Sequence, residues 1–393
     1  MRDTSPPDPL TAFSAADQVA MAQALVLAEQ AVGLSDPNPR VGCVITDRAG
    51  RVLGAGHTQQ AGGPHAEVMA LRAAREAGHD LRGSQAYVTL EPCAHHGRTP
   101  PCADALVEAG VGRVVAAVLD PNPLVAGQGL ARLRTAGVRV EDGLPAEPAP
   151  ELNRGFAPRL VRGRPWVRLK IAASLDGRTA LPDGTSQWIT SAAARADGHA
   201  WRRRAGAVLT GSGTVRDDDP RLDVRLVASA RQPLRVVLDT RLATPPAARL
   251  LAPPGDVLLL HAAVADPART DALRAVGAHV AVEAIETAVA PDGSPRLALP
   301  AVLDCLGRRG VNELHVEAGS RLNGAWVQAG LVDEVLLYLA PTLLGRGRGL
   351  CDFGPLARIA DGLALEIAAL DRVGPDIRVR ARPVDRLAGW LHV

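Results

Sequence analysis

The stretch "LEPCAHHGRTPPC", from Leu90 to Cys102, holds two cysteines and two adjacent histidines in one short segment. Thiolate and imidazole are the ligands that zinc prefers in proteins. Upstream, "PHAEV" places His65 and Glu67 at the predicted start of a helix. A set of His65, Cys93 and Cys102 leaves a fourth tetrahedral position for water, which is the arrangement of catalytic zinc. The stretch therefore predicts an N-terminal domain built around a metal ion.

The surroundings of these ligands favour chemistry over a purely structural metal site. Glu67 lies two residues from His65, so it can handle protons without binding the metal, as in metal-assisted hydrolysis. A structural site closed by His95 or His96 as fourth ligand is the alternative. A redox pair is disfavoured, because a gap of eight residues between the cysteines is no C-x-x-C motif. The H-x-E and P-C…C pattern is typical of zinc deaminases.

Length and composition limit the number of domains and the classes of function that the chain can have. At 393 residues it is too long for one ordinary core, which predicts two domains. A formal net charge of +2 gives no basic field for nucleic acid or an anionic membrane. No apolar run approaches the roughly 18 residues of a spanning helix. Five irregularly spaced cysteines are unlike a secreted disulfide framework. We expect a cytoplasmic protein with a short disordered arm over residues 1–13.

Strands alternate with helices along both halves, which predicts an α/β layer fold for each. The pattern breaks into a stretch rich in Pro, Ala and Glu after Gly143, and we place the domains at 14–162 and 163–393. The predicted strands are "RVGCVI", "AYVTL" and "RVVAAVLD" in the first half, and "WVRLKIA", "AVLT", "LRVVLD", "DVLLL", "ELHVE" and "EVLLYLA" in the second.

Polar residues follow three strands of the second half. "GSGTVR" follows "AVLT", Thr240 follows "LRVVLD", and the strand "ELHVE" ends at Glu317, with Gly319 shortly after it. Ligands of open α/β sheets bind beyond the carboxyl ends of strands, and a helix start at "GSRLNGA" can hold a pyrophosphate. "GSGTVR" lacks the third glycine of the dinucleotide-binding template, so we do not predict a Rossmann domain. The pattern predicts a nucleotide crevice of another kind.

Lys170 is the one lysine among 44 lysine and arginine residues. Strand alternation places it on the face opposite Val167 and Leu169. A site that keeps lysine needs a compact ammonium or a cation that can lose its proton; chance retention is the alternative. "GRGRG" (Gly345–Gly349) is interpreted as a flexible connection, because it follows a strand and lacks aromatic residues that could stack on bases; a phosphate loop and a nucleic-acid patch are the alternatives.

The first half resembles the deaminase domain of the bifunctional riboflavin-biosynthesis deaminase–reductases, a branch of the cytidine-deaminase-like superfamily. The residues that carry the resemblance are "HAE", "TLEPCAHHGRTPPC" and "DPNP". It implies one zinc ion per chain on His65, Cys93 and Cys102, with Glu67 as proton shuttle. The substrate contacts that it implies are Asn38, His95, Arg98, Asp120 and Asn122. Where the family often has a histidine, seven residues before the metal histidine, this chain has Thr58, with His57 one place earlier.

The second half resembles the reductase domain of the same family, which has a dihydrofolate-reductase-like α/β fold. The matching stretches are "LKIAASLDGRTA", "SQWIT", "GSGTVRDDDPRL" and "VEAGSRLNGAWVQAGLVDE". The implied NADPH contacts are Ala172, Trp188, Thr214, Asp218, Thr240, Gly319, Ser320, Arg321, Leu322, Asn323, Gly324 and Ala325. The implied substrate contacts are Ser186, Arg202, Leu222, Arg225 and Glu317. Arg202 and Arg225 suit a ribose 5-phosphate, and Lys170 with Glu317 is expected to orient the sugar and move a proton.

Together these resemblances imply a bifunctional enzyme that deaminates a diaminopyrimidine ribosyl phosphate and then reduces its ribose with NADPH. They also imply a homo-oligomer, either a dimer or a tetramer. One alternative is a nucleic-acid base deaminase with an accessory domain, which is disfavoured by 3% aromatic residues and balanced charge. The other is a zinc-stabilised binding protein without catalysis.

Overall fold

The computed structural model describes residues 13–94, 100–122, 126–144, 148–290 and 293–384. The chain forms two compact units, Met1–Ala157 and Pro158–Val393. The predicted boundary between residues 162 and 163 lies a few residues beyond this division. The predicted disordered arm, Phe13 excepted, lies outside the described residues. Within the described ranges, no helix combines the length and apolar character that crossing a membrane requires.

The first unit is a sheet flanked by helices. Its elements are α1 (Ala15–Gln30), β1 (Gly42–Thr46), β2 (Val52–His57), α2 (Ala66–Glu76), β3 (Gln85–Val88), α3 (Cys102–Glu108), β4 (Arg113–Ala116), α4 (Gln128–Thr135), β5 (Arg139–Asp142) and α5 (Pro148–Leu152), and α6 (Phe156–Arg162) spans the division. The strand order is β2-β1-β3-β4-β5. β1 runs antiparallel to β2 and β3, while β3, β4 and β5 are parallel. The α/β class predicted for this half is confirmed.

Glycines in the first two strands let the helices pack directly on the sheet. A Cβ at Gly42 would stand 1.8 Å from the Ala24 carbonyl oxygen of α1. A Cβ at Gly54 would stand 2.3 Å from the Ala70 carbonyl oxygen of α2. Because no other residue permits these approaches, α2 is held close against β2. This close packing positions the start of α2, where His65 and Glu67 lie.

The second unit contains a larger sheet. Its elements are β6 (Trp166–Ser174), α7 (Ala192–Arg204), β7 (Ala207–Gly211), α8 (Ser212–Asp218), β8 (Leu234–Leu238), β9 (Val257–Ala262), α9 (Pro267–Arg274), β10 (Val280–Ile285), β11 (Thr287–Val289), β12 (Pro295–Leu297), α10 (Leu299–Arg308), β13 (Glu313–Val316), α11 (Ser320–Gln328), β14 (Glu334–Ala340), β15 (Leu365–Val373) and β16 (Asp376–Pro383). The strand order is β10-β9-β8-β7-β13-β6-β14-β16-β15. The first seven strands of this order are parallel, and β16 and β15 form an antiparallel edge.

The central strand β6 has one apolar and one charged face, as its alternation predicts. Val167 and Leu169 are fully buried in the core. On the other face Arg168 is also buried, and it donates to Glu334 at 2.6 Å and to Glu313 at 2.9 Å. These two carboxylates neutralise Arg168 inside the protein, as a buried charge requires.

Candidate active sites

The three predicted metal ligands come together in the first unit. His65 is the N-cap residue of α2, and Cys102 is the first residue of α3. The His65 Nδ1 atom lies 3.3 Å from the Cys102 Sγ atom and 3.7 Å from the Cys93 Sγ atom. Tetrahedral zinc with such ligands separates the ligand atoms by roughly 3.5–3.8 Å. The cluster therefore fits zinc, and it is the one cluster of this kind found in the described ranges.

The two thiols of the cluster differ in acidity. The hydrogen bond with the Cys102 thiol lowers the pKa of Cys93, and the same contact, together with burial, raises the pKa of Cys102. The Cys102 backbone N–H also donates to the Cys93 Sγ atom at 3.3 Å. One thiolate is thus favoured before any metal binds, and metal binding displaces the second proton.

Glu67 lies in the first turn of α2 and is only 3% exposed. Burial raises the pKa of its carboxyl group to about 7, and the negative charge on Cys93 adds to this effect. A group whose pKa lies near neutral pH can both take up and release a proton. The position and environment of Glu67 therefore match the predicted proton shuttle.

The predicted substrate contacts of this unit lie on loops. Asp120 and Asn122 follow β4, and the Asn122 backbone N–H donates to the Asp120 Oδ1 atom at 2.9 Å. Asn38 precedes β1, and its backbone N–H donates to the Ser35 carbonyl oxygen at 2.9 Å. His95, His96 and Arg98 lie outside the described residues. Their predicted roles, including a fourth metal ligand, stay predictions.

The second unit contains a cavity of about 1260 Å³ at the carboxyl ends of β6, β7, β8 and β13. Single-ligand pockets usually measure about 300–1,000 Å³, so this cavity can hold a dinucleotide together with a substrate. The predicted site residues that line it are Lys170, Ala172, Ser186, Trp188, Arg202, Thr214, Asp218, Leu222, Arg225, Thr240, Glu317, Gly319, Ser320, Arg321, Leu322 and Ala325.

Two of the predicted cofactor contacts, Asn323 and Gly324, are not among the residues that line the cavity, and they stay predictions. Residues 319–325 are the N-cap and the first turns of α11, in agreement with the helix start predicted at "GSRLNGA". Helical periodicity turns Asn323 and Gly324 away from the cavity lining. Asn323 donates to the Leu350 carbonyl oxygen at 3.0 Å, and a Cβ at Gly324 would stand 1.9 Å from the Asp352 carbonyl oxygen. The backbone N–H groups at the start of α11 remain available for a phosphate.

Glu317 is the centre of a charged cluster in the cavity wall. Its carboxylate lies 3.6 Å from the Lys170 Nζ atom and 3.4 Å from the His315 Nε2 atom. Arg202 donates to it through Nε at 2.5 Å and through Nη2 at 2.9 Å. Burial alone would raise the pKa of Glu317, but the charges of Arg202 and Lys170 outweigh it and hold the pKa well below its usual range. Glu317 is therefore an ionised acceptor facing the cavity.

The Arg202 guanidinium group forms hydrogen bonds with other residues of the protein. Its Nη1 atom donates to the Asp223 carbonyl oxygen at 2.9 Å, in addition to the two contacts with Glu317. A phosphate contact from Arg202 stays a prediction, and Arg225, whose side chain is 41% exposed, is the more accessible of the two. Ser186 and Asp218, predicted for substrate and cofactor respectively, share a hydrogen bond of 2.8 Å.

Sequence reasoning missed two residues around this cavity. His315 precedes Glu317 by two positions, so strand alternation places both on one face of β13 and its extension. That spacing was an available signal. Arg348 lines the cavity, although "GRGRG" was predicted to be a flexible connection. The segment makes contacts with the rest of the unit: Arg348 pairs with Ala180 in a β-bridge, and the Gly345 backbone N–H donates to Asp176 at 2.7 Å.

Comparison with protein families matches both halves of the chain. Residues 14–118 match the cytidine and deoxycytidylate deaminase zinc-binding region, and residues 165–379 match the RibD C-terminal domain. The riboflavin biosynthesis protein RibD of Escherichia coli K12 is 45% identical over 374 residues, which cover 92% of this chain and 98% of that protein. RibD of Mycobacterium tuberculosis H37Rv is 41% identical over 362 residues, covering 91% and 95% of the two chains.

Solved structures agree with the sequence relatives. Acinetobacter baumannii RibD superposes with a TM-score of 0.82 at 42% identity, covering 94% of this chain and 99% of that one. A diaminohydroxyphosphoribosylaminopyrimidine deaminase/5-amino-6-(5-phosphoribosylamino)uracil reductase from Thermotoga maritima gives a TM-score of 0.81 at 32% identity, with the same coverage. The match of the second unit to a RibD domain removes the basis for a nucleic-acid deaminase with an accessory domain.

Proposed function

This chain belongs to the RibD family of riboflavin-biosynthesis proteins, and we propose that it carries out both reactions named for the Thermotoga relative. It is a bifunctional enzyme with a zinc-dependent deaminase unit and an NADPH-dependent reductase unit. The proposed reactions are deamination of diaminohydroxyphosphoribosylaminopyrimidine and then reduction of 5-amino-6-(5-phosphoribosylamino)uracil. The observation that carries the proposal is the cluster of His65, Cys93 and Cys102 beside the buried carboxyl of Glu67.

In the deaminase unit, His65, Cys93 and Cys102 would hold zinc, which when bound would supply the Lewis acidity that activates water. Glu67 then takes the water proton on its carboxylate and delivers it to the departing ammonia. Because the side chain is buried, it exchanges this proton with the reacting groups rather than with solvent. Asn38, His95, Arg98, Asp120 and Asn122 are the residues that we propose for holding the pyrimidine and its ribose phosphate.

In the reductase unit, the cavity residues would hold NADPH, which when bound would supply the hydride that reduces C1′ of the sugar. We propose that the cofactor lies along the cavity residues named above, with a phosphate at the start of α11. Glu317, held ionised by Arg202, accepts a hydrogen bond from a sugar hydroxyl. Lys170, 3.6 Å from Glu317, delivers a proton to the ribose ring oxygen as the ring opens to the C1′ imine.

The direct test is incubation of the purified protein with the diaminopyrimidine ribosyl phosphate, with and without NADPH. Ammonia release should not depend on NADPH, whereas NADPH oxidation should require prior deamination. Zinc content measured on the same sample should be one ion per chain. A zinc-loaded protein that releases no ammonia would instead support the zinc-stabilised, non-catalytic alternative.

Removal of zinc should separate the two activities. Treatment with a chelator is expected to stop ammonia release, because His65, Cys93 and Cys102 then hold no Lewis acid. NADPH oxidation with 5-amino-6-(5-phosphoribosylamino)uracil as substrate should continue unchanged, since the reductase cavity has no metal cluster among its described residues. Added zinc should restore ammonia release. Parallel loss of both activities would contradict this assignment.

We also propose a homo-oligomer that forms through the edge strand β15. A β-bulge between Ile367 and Ala369 brings Leu365, Ile367 and Leu370 onto one face of this strand. Their exposed fractions are 41%, 63% and 66%. An apolar face on an edge strand is a ready surface for a second copy.

The cytoplasm is the proposed compartment, because the Cys93 and Cys102 thiols must stay reduced to bind metal.

A charge placed on this strand should disrupt the oligomer. Ile367→Asp is expected to lower the molar mass measured by light scattering after size exclusion to that of a single chain. The matched control is Val264→Asp, which introduces the same charge at a valine that is 93% exposed outside the strand. The control should keep the mass of the unchanged protein. An equal mass for Ile367→Asp and the parent would rule out this interface.

A further inference from the structure

The carboxylate of Glu91 accepts hydrogen bonds from four backbone N–H groups. Its Oε2 atom accepts from Asp120 at 3.1 Å and from Gly127 at 2.9 Å. Its Oε1 atom accepts from Gly129 at 2.8 Å and from Leu130 at 3.2 Å. Glu91 is 4% exposed, so these donors replace water almost completely. One side chain thus satisfies donors from Asp120, which follows β4, and from the start of α4.

Helix α4 and Val118 also contact the residues on either side of the metal ligand Cys93. A Cβ at Gly129 would stand 1.8 Å from the Pro92 carbonyl oxygen, so only glycine permits this approach. The Glu91 backbone N–H donates to the Val118 carbonyl oxygen at 2.8 Å. Arg132 of α4 donates to the Ala94 carbonyl oxygen at 3.1 Å. The position of α4 is therefore set by contacts along residues 91–94.

We propose that Glu91 is a positioning residue for deamination. Its carboxylate fixes Asp120 relative to Cys93, and Asn122 follows through its hydrogen bond to the Asp120 side chain. Glu91 thus sets the distance between the substrate-holding residues and the metal cluster, and so contributes to substrate binding. This inference rests on the proposed function, and specifically on substrate contacts from Asp120 and Asn122.

A glutamine cannot replace this carboxylate. Each oxygen of the glutamate serves two donors, whereas the amide NH₂ of a glutamine donates and accepts nothing. Glu91→Gln therefore leaves two buried N–H groups facing an NH₂ group, and the backbone that carries them must shift to satisfy them. The shift moves Asp120 and Asn122, whereas His65, Cys93 and Cys102 are all still present to bind zinc. Substrate binding should suffer more than the chemical step.

The test compares Glu91→Gln with the unchanged holoenzyme. The deaminase KM is expected to rise by about tenfold or more, with kcat and zinc content retained. NADPH oxidation with 5-amino-6-(5-phosphoribosylamino)uracil should be unchanged. The matched control is Glu141→Gln, which removes a carboxylate of the same unit that pairs with Arg113 and Arg139. That control should leave the KM unaltered.

Gly129→Ala provides a second, independent variant. It pushes α4 from Pro92 while the Glu91 carboxylate stays intact, and it should raise the same KM. An unchanged KM in Glu91→Gln, or loss of zinc in both variants, would assign Glu91 to folding alone and overturn the inference. Failure of the unchanged protein to release ammonia would instead refute the proposed function, so the two failures are distinguishable.

Discussion

Glu67→Gln is expected to reduce ammonia release by about a thousandfold while zinc stays bound. The glutamine matches glutamate in size but cannot take up the water proton or return it to the leaving ammonia. Glu67 lies outside the set of three ligand atoms, so the substitution should leave the zinc content at one ion per chain. Steady-state ammonia release and metal analysis on the same sample give both quantities.

Two controls isolate the proton-transfer role of Glu67. Reductase turnover with 5-amino-6-(5-phosphoribosylamino)uracil should be unaffected in Glu67→Gln, which shows that the rest of the chain is intact. Glu76→Gln makes the same change on the same helix at an exposed position, and should keep full deaminase activity. If Glu67→Gln releases ammonia at the normal rate, the proton must move through another group and the assignment is wrong.

The metal cluster could be predicted from the sequence because its residues occur in two short motifs with recognisable spacing. His65 and Glu67 are two residues apart, and Cys93 and Cys102 flank one short stretch. The sequence alone could not show that these two segments lie next to each other in space. The glycines of β1 and β2 contribute to this arrangement, because they let the helices pack closely on the sheet. The α/β class could be predicted for a similar reason, since period and turn residues are local properties.

Local sequence patterns could not reveal contacts between residues that are far apart in the sequence. The four donors that surround Glu91 come from residues 120–130, and no spacing rule links them to it. Gly345–Gly349 has the composition of a flexible loop, but its order comes from partners about 170 residues earlier, Asp176 and Ala180. Composition indicates the conformations that a segment favours in isolation, whereas the conformations of these segments depend on hydrogen bonds to residues distant in the sequence.

Arg202 illustrates how a resemblance can indicate a residue without giving its contacts. The chemistry of a guanidinium suits phosphate, which is what the sequence led us to expect. In the structure the group binds Glu317 through two nitrogens and Asp223 through the third. Its positive charge therefore acts on Glu317, whose low pKa is a condition for the proposed reductase chemistry.

Lys170→Arg should lower reductase turnover by about a hundredfold or more, although it keeps the positive charge. An arginine can still pair with Glu317, but its pKa is too high to release a proton to the ribose ring oxygen. Its planar group is also larger than the ammonium that lies 3.6 Å from Glu317. NADPH oxidation with 5-amino-6-(5-phosphoribosylamino)uracil measures the loss, and fluorescence titration should show NADPH binding close to that of the parent.

The deaminase unit of the same variant serves as the internal control, since ammonia release should be unchanged. Glu317→Gln tests the partner: removing its negative charge should also lower reductase turnover, because the sugar hydroxyl loses an ionised acceptor and Arg202 loses its partner. Full turnover in Lys170→Arg would mean that position 170 requires only a positive charge. The retention of a single lysine among 44 basic residues would then need no functional reason.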